Sequence, residues 1–283
     1  MLAFVNKGNF MCIEKSFLKW VGSKNRLIPQ LLPHLPSGKR FIEPFVGAGN
    51  VFINTNYASY VLCDKNSDLI NVYKWLRDDL ARLLNETKSL FDSQPDFYDV
   101  RSRFNNSTLL LSVQRAAEFI YLNRHCFNGV CRYNAKGEFN VPIGNHKSIY
   151  FPKTELIAFS NKLISAPVEL VRADFSAVIE NAKIGDVIYC DPPYISGTKD
   201  DIFTGYTPCK FDTETTKCLH DLLVLAVRRG ATAIISNSNN SLIREIFNDF
   251  EIYEIDARRS VAANGNRKPA REIIGVLMPE MIN

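Results

Sequence analysis

The chain has 283 residues, of which 46% are hydrophobic and 23% charged. That balance excludes a disordered, collagen-like or coiled-coil protein, and the length predicts one large or two modest domains. The formal net charge of +4 is too small to identify an anionic partner by itself, so placement of the charges decides more than their sum.

Seven cysteines stand at positions 12, 63, 126, 131, 190, 209 and 218. An odd number without CxxC spacing argues against a disulfide framework and against a structural zinc site. No run approaches the ~18 apolar residues of a membrane span. The start lacks the apolar core and cleavage site of a signal peptide, so a cytoplasmic protein is expected.

In chain order, Phe41 to Phe45 reads as a short strand, Val46 to Asn50 as a glycine turn, and Val51 to Ala58 as a helix. Tyr60 to Cys63 reads as a second strand ending at Asp64. Strand, turn, helix, strand is the pattern of a parallel βαβ unit. The middle, about 67–152, is different. Leu69, Val72, Tyr73 and Leu76 fall on one helical face, and Val113, Ala116, Ala117, Ile120 and Tyr121 on another. Residues 125–134 are dense in aromatic, amide and basic groups. Beyond Leu170 the α/β pattern returns. Asp186 to Cys190 is a strand, and Leu219, Leu222, Leu223, Ala226 and Val227 mark a helix stopped by Gly230. Thr232 to Ile235, Ile252 to Ala257 and Glu272 to Met278 are further strands. The expectation is an α/β protein in which 1–66 and 153–283 build a Rossmann-like sheet and 67–152 form a mostly helical insertion.

Asp191-Pro192-Pro193-Tyr194 is the sharpest chemical signal. It follows a strand directly. Two prolines fix φ and withhold N–H donors, leaving nearby carbonyls as acceptors. An ionised Asp side chain only accepts. A rigid acceptor set beside an aromatic face suits a planar amino group. A stiff turn after a strand is the plain alternative. Gly47-Ala48-Gly49 lets a ligand approach the backbone closely, but it fails the dinucleotide fingerprint, because Phe52 stands where the third glycine belongs. Asp64 ends the next strand, where a carboxylate can accept from ribose hydroxyls.

Three motifs occur in order: Phe17-Leu18-Lys19-Trp20-Val21-Gly22-Ser23-Lys24, Glu43-Pro44-Phe45-Val46-Gly47-Ala48-Gly49 and Asp191-Pro192-Pro193-Tyr194. With Leu122 to Asn134 and Gly137 to Pro142, they resemble the Dam family of DNA adenine-N6 methyltransferases. The resemblance covers nearly the whole chain from Phe17. It implies a site-specific enzyme that uses S-adenosylmethionine to methylate a flipped-out adenine in double-stranded DNA, with GATC as the expected target. It implies a cofactor pocket of Trp20, Lys24, Phe45, Gly47, Gly49, Asp64, Asp174, Phe175 and Asp191. Asp191, Pro192 and Tyr194 would hold the target amino group. Lys19 and Arg132 would contact guanine, Phe127 would wedge beside the extruded base, and Asn128 would meet the orphaned thymine. Arg101, Arg124, Asn134, Asn140 and Thr198 would serve as phosphate or scaffold contacts. Asn145 and His146 depart from the Arg and Tyr common in the family, and Phe127 from its Tyr. Residues 258–271, rich in Arg and Lys, read as a DNA-facing loop. No metal is expected, and a monomer suffices for one flipped base. A cytosine-N4, cytosine-C5 or protein-amide methyltransferase, or a DNA-binding protein without activity, are the alternatives.

Overall fold

The computed structural model describes residues 13–195, 211–257 and 270–282. Seven strands form one sheet: β1 (Arg40–Glu43), β2 (Tyr60–Asp64), β3 (Val168–Arg172), β4 (Asp186–Cys190), β5 (Thr232–Ser238), β6 (Glu251–Ala257) and β7 (Ala270–Leu277). Their order is β3-β2-β1-β4-β5-β7-β6. The first five run parallel, and β7 runs antiparallel to both β5 and β6. The order reverses at β1, so the carboxyl ends of β1 and β4 open the crevice where ligands of open α/β sheets bind.

The helices are α1 (Ile28–Leu31), α2 (Asn50–Ile53), α3 (Ser67–Asp78), α4 (Leu80–Ser93), α5 (Phe97–Asn106), α6 (Val113–His125), α7 (Lys153–Ile164), α8 (Phe175–Ile179), α9 (Thr213–Arg228) and α10 (Ser241–Ile246). Alternate strand residues feed opposite faces of the sheet, as the period of two requires. Phe41, Leu62, Val187 and Tyr189 join one buried cluster with α3, α6 and α7, while Ile42, Val61, Ile188 and Ile235 join another with α8, α9 and α10. Both faces are therefore covered, and the strands read as apolar runs for that reason.

α3 starts cleanly because the Asn66 side chain accepts from the amides of Asp68 and Leu69. Its buried residues share one cluster with the sheet and with α6. After α6 the chain to Phe151 is irregular, held by isolated bridges between Cys126 and Ile143 and between Tyr133 and Phe139.

Two elements differ from expectation. The helix expected to reach Ala58 stops at Ile53. Asn54 turns its amide onto the carbonyls of Asn50 and Glu14, and the Thr55 carbonyl is taken by Tyr60 Oη instead of a helical amide. Strand β3 was not expected, because its Val-Glu-Leu-Val-Arg sequence sits half-exposed at the sheet edge and shows no clean alternation. Among the described residues no helix is long and apolar enough to cross a membrane.

Candidate active site

The site gathers at the carboxyl ends of β1, β2 and β4. Glycine makes the first turn possible. Gly47 and Gly49 adopt φ of +44° and +67°, in the left-handed region that favours residues without a Cβ. A Cβ at Gly47 would lie 2.8 Å from Trp20 Nε1. The turn is tied down from two sides: Gly47 N donates to Asp64 Oδ2 at 3.1 Å, and Tyr73 Oη donates to the Gly47 carbonyl. Asp64 Oδ1 also accepts from Asn66 N at 2.9 Å. Asp64 thus shapes the glycine turn and the start of α3 at once. Burial pushes its carboxyl above the usual carboxylate range, against those two amide bonds.

Beside the turn, Phe45 and Phe175 stack with ring centroids 5.3 Å apart, and Phe211 closes on Phe45 edge-on at 5.8 Å. Asp174 caps α8 by accepting from Ser176 N and pairs with Lys65 Nζ at 2.6 Å. Burial pushes the Asp174 carboxyl up, but the bonds from Lys65 and Ser176 outweigh it and hold the group low. A glycine cradle with no room for a Cβ, an aromatic slot and strand-end carboxylates fit a cationic nucleoside such as S-adenosylmethionine.

Asp191 leaves β4 into the Pro-Pro turn. Its Oδ1 takes Lys24 Nζ at 2.7 Å and Ser236 Oγ at 3.1 Å. Lys24 Nζ also lies 4.7 Å from the Tyr194 ring centroid and donates to the Gly22 carbonyl. Tyr194 Oη donates to Glu272 Oε2 at 2.8 Å, and that oxygen is 3.9 Å from Lys24 Nζ. Burial raises the Asp191 carboxyl, with Lys24 pulling the other way. Glu43, at the end of β1, is 3% exposed, and its buried Oε2 has no partner among the described residues. Burial, then the neighbouring Asp191, pushes its carboxyl well above the usual range. Sequence reasoning missed Ser236 and Glu272 as site members. Glu43 was quoted in its motif but given no role, although an acid closing an apolar strand is a readable signal.

The second group of expected residues lies around the end of α6. Lys19 N donates to Asn123 Oδ1, Asn123 Nδ2 donates back to the Lys19 carbonyl, and Lys19 Nζ reaches the Arg124 carbonyl at 3.0 Å. Burial, then Arg124, holds the Lys19 ammonium below its ordinary range. A Cβ on Gly129 would collide with Lys19, so the turn at 127–129 seats directly on that segment. Phe127 is 53% exposed at the tip of this turn, and Asn128 holds φ +54°. The aromatic is therefore a surface group and not part of the core. Arg132 is exposed, with Nε on Asn140 Oδ1 at 2.8 Å. Asn134 closes the neighbouring turn through Lys136, Gly137 and Glu138. Arg101 donates to the Val141 carbonyl and lies on the Tyr98 ring, and the buried Arg124 Nε has no partner among the described residues. Thr198 and residues 258–269 lie outside the described residues.

The description "D12 class N6 adenine-specific DNA methyltransferase" matches residues 20–261. A DNA N-6-adenine-methyltransferase of Escherichia phage P1 is 44% identical over 271 residues, covering 94% of this chain and 36% of that protein. This chain therefore spans about a third of that relative's length. The retron Ec67 DNA adenine methylase of Escherichia coli is 38% identical over 92% of this chain and 90% of its own. The DNA adenine methylase of Escherichia coli strain K12 is 36% identical over 95% and 98%.

Proposed function

Since the chain belongs to the D12 class of N6 adenine-specific DNA methyltransferases, we propose that it methylates N6 of an adenine flipped out of duplex DNA, within GATC, with S-adenosylmethionine as donor. When bound, the donor supplies an electrophilic methyl on a sulfonium. Trp20, Lys24, Phe45, Gly47, Gly49, Asp64, Asp174, Phe175 and Asp191 would form its pocket. A stacked base cannot reach that pocket, so the target leaves the helix at a cost of a few kcal/mol.

Asp191 and the Pro192 carbonyl accept the two amino hydrogens of the flipped base, and the Tyr194 ring stacks on its face. Accepting those hydrogens turns nitrogen lone-pair density out of the ring and toward the methyl. After transfer the nitrogen carries one proton too many, which leaves along the bond to Asp191. No covalent enzyme intermediate is needed. The observation that carries this reading is the Lys24 ammonium, an N–H donor held on Asp191 and over Tyr194 as an amino group would be.

We place base readout in 67–152, with Lys19 adding a guanine contact from outside it. Arg132 and Lys19 read guanine edges, where a guanidinium pairs bidentately. Phe127 wedges into the gap left by the base, and Asn128 meets the orphaned thymine. Arg101, Arg124, Asn134, Asn140 and Thr198 hold or support the backbone.

A tritiated-methyl assay tests the reading on three substrates: unmethylated GATC duplex, fully methylated duplex and protein. Label appearing as N6-methyladenine on the first alone is expected. Label on cytosine, or on protein, overturns it.

A further inference from the structure

Arg132 stands between two inward-facing residues, Cys131 and Tyr133, whose side chains reach the beginning of α3, the Tyr133 ring also packing edge-on against Phe139. Tyr133 Oη donates to Asp68 Oδ2 at 2.7 Å, and Asn66 Nδ2 lies 3.5 Å from Cys131 Sγ. Asp68 is buried and fully engaged: Arg115 Nε meets its Oδ1 at 2.6 Å and Arg115 Nη2 its Oδ2 at 3.2 Å. Arg115 in turn donates from Nη1 to the Phe104 carbonyl at 2.5 Å and lies 3.9 Å from the Phe104 ring centroid. Arg115 of α6 and the phenol of Tyr133 thus meet on one carboxylate of α3, and Arg115 carries the link on to α5.

Such a network is a poor device for stability alone. A buried ion pair is often replaced by apolar side chains without loss, because desolvation offsets the attraction. What it supplies is direction. The two-pronged guanidinium fixes the plane of the carboxylate. That plane fixes the line of the phenol bond and hence the backbone of Tyr133. Tyr133 forms an antiparallel bridge with Phe139, which is itself held by both amide atoms of Asn105. In extended backbone, neighbouring side chains point to opposite sides. With Tyr133 pinned inward, Arg132 projects outward, where Asn140 steadies its Nε.

We propose that Tyr133, acting through Asp68, is a specificity-determining positioning residue: it sets the direction from which Arg132 meets its guanine. The proposal rests on the reading of Arg132 as a base contact. It adds a residue that touches neither DNA nor methyl donor.

The test is Tyr133→Phe, which removes one oxygen. Turnover is measured on GATC duplex and on duplexes carrying each single base-pair change, alongside Arg132→Ala and the double variant. Tyr133→Phe should lower discrimination about tenfold, or about 1.4 kcal/mol, at the pair that Arg132→Ala affects and nowhere else. The double variant should lose no more than Arg132→Ala alone, since both act through one contact. Affinity for the methyl donor should not change, because the phenol touches none of its pocket. Tyr133→His, which returns a ring N–H, should restore part of the discrimination. Additive losses in the double variant, or equal loss on every duplex in Tyr133→Phe, overturn the proposal. If Arg132→Ala itself weakens all duplexes alike, the reading of Arg132 falls first, and this proposal falls with it. Thermal melting of each variant separates these results from simple unfolding.

Discussion

Lys24 Nζ lies 2.7 Å from Asp191 Oδ1, and the lysine belongs to a motif more than a hundred residues upstream of the carboxylate it neutralises. Asp191 is drawn upward by burial, and Lys24 is the charge that opposes that shift. An ionised carboxylate accepts and does not donate, which is what an incoming amino group requires. Asp191→Ala should therefore reduce methyl transfer by about 10²–10⁴-fold, while duplex DNA binding in a filter assay largely survives. Near-normal turnover would sink the assignment of Asp191.

The glycine cradle makes a separate prediction. Gly47 has φ +44° and no room for a Cβ beside Trp20 Nε1. Gly47→Ala adds a left-handed penalty of about 1–2 kcal/mol and displaces the indole. Methyl donor affinity measured by calorimetry should fall at least about tenfold. Gly137→Ala is the control, since Gly137 also has positive φ (+77°) but nothing within 4 Å of its would-be Cβ. Its donor affinity should match that of the unsubstituted protein.

Glu43 predicts a pH dependence of stability. Its folded-state carboxyl is raised well above the ordinary value of 4.5, first by burial. The unfolded chain releases that proton first, so the native state binds more protons above that value. The stability contributed by the neutral acid is complete below pH 4.5 and declines as pH rises toward the folded value. Glu43→Gln keeps the shape and removes the titration. Its melting temperature relative to the unsubstituted protein should rise steadily between pH 5 and pH 8. Each kcal/mol relieved corresponds to roughly 2–4 °C. A pH-independent difference in calorimetric melts would refute the assignment of Glu43 as a buried neutral acid.

His125 predicts the opposite slope. Burial pushes its imidazole down to about 4, against the bond to the Tyr121 carbonyl, with His146, Lys19 and Arg124 nearby adding to the depression. Here the unfolded chain takes up the proton first. Stability should fall as pH drops from about 6.5 toward 4. His125→Gln should flatten that limb of the melting curve while leaving the pH 8 value close to its own plateau. Equal acid sensitivity in both proteins would remove His125 from the account.

Much of this was legible in the sequence, for identifiable reasons. Asp191 and Asp64 end apolar strands, and a carboxylate there stands out against its neighbours. The alternating clusters of the parallel sheet follow from continuous apolar runs such as Asp186 to Cys190. Ser236 and Glu272 were not legible, because their closeness to Asp191 depends on β5 and β7 lying side by side. Nothing local in either strand announces that pairing. The short α2 was overextended because Asn54 and Thr55 look tolerable in a helix until Tyr60 and Glu14 claim their hydrogen bonds. Exposure of Phe127 is in keeping with the expected wedge, and the following Asn-Gly pair is a turn signal that favours a tip.

β7 carries a consequence for how the molecule comes into being. It is the described chain's last strand, yet it docks between β5 and β6 and delivers Glu272 to Tyr194 and Lys24. The bond from Tyr194 to Glu272 spans 78 residues and forms only once that loop has closed. During synthesis the glycine turn, Asp64 and Asp191 all precede Glu272, so the tyrosine waits for its anchor until the final strand arrives. Activity is thus a property of the finished fold: a protein cut short before β7 would carry the Asp-Pro-Pro-Tyr motif without the carboxylate that holds its tyrosine.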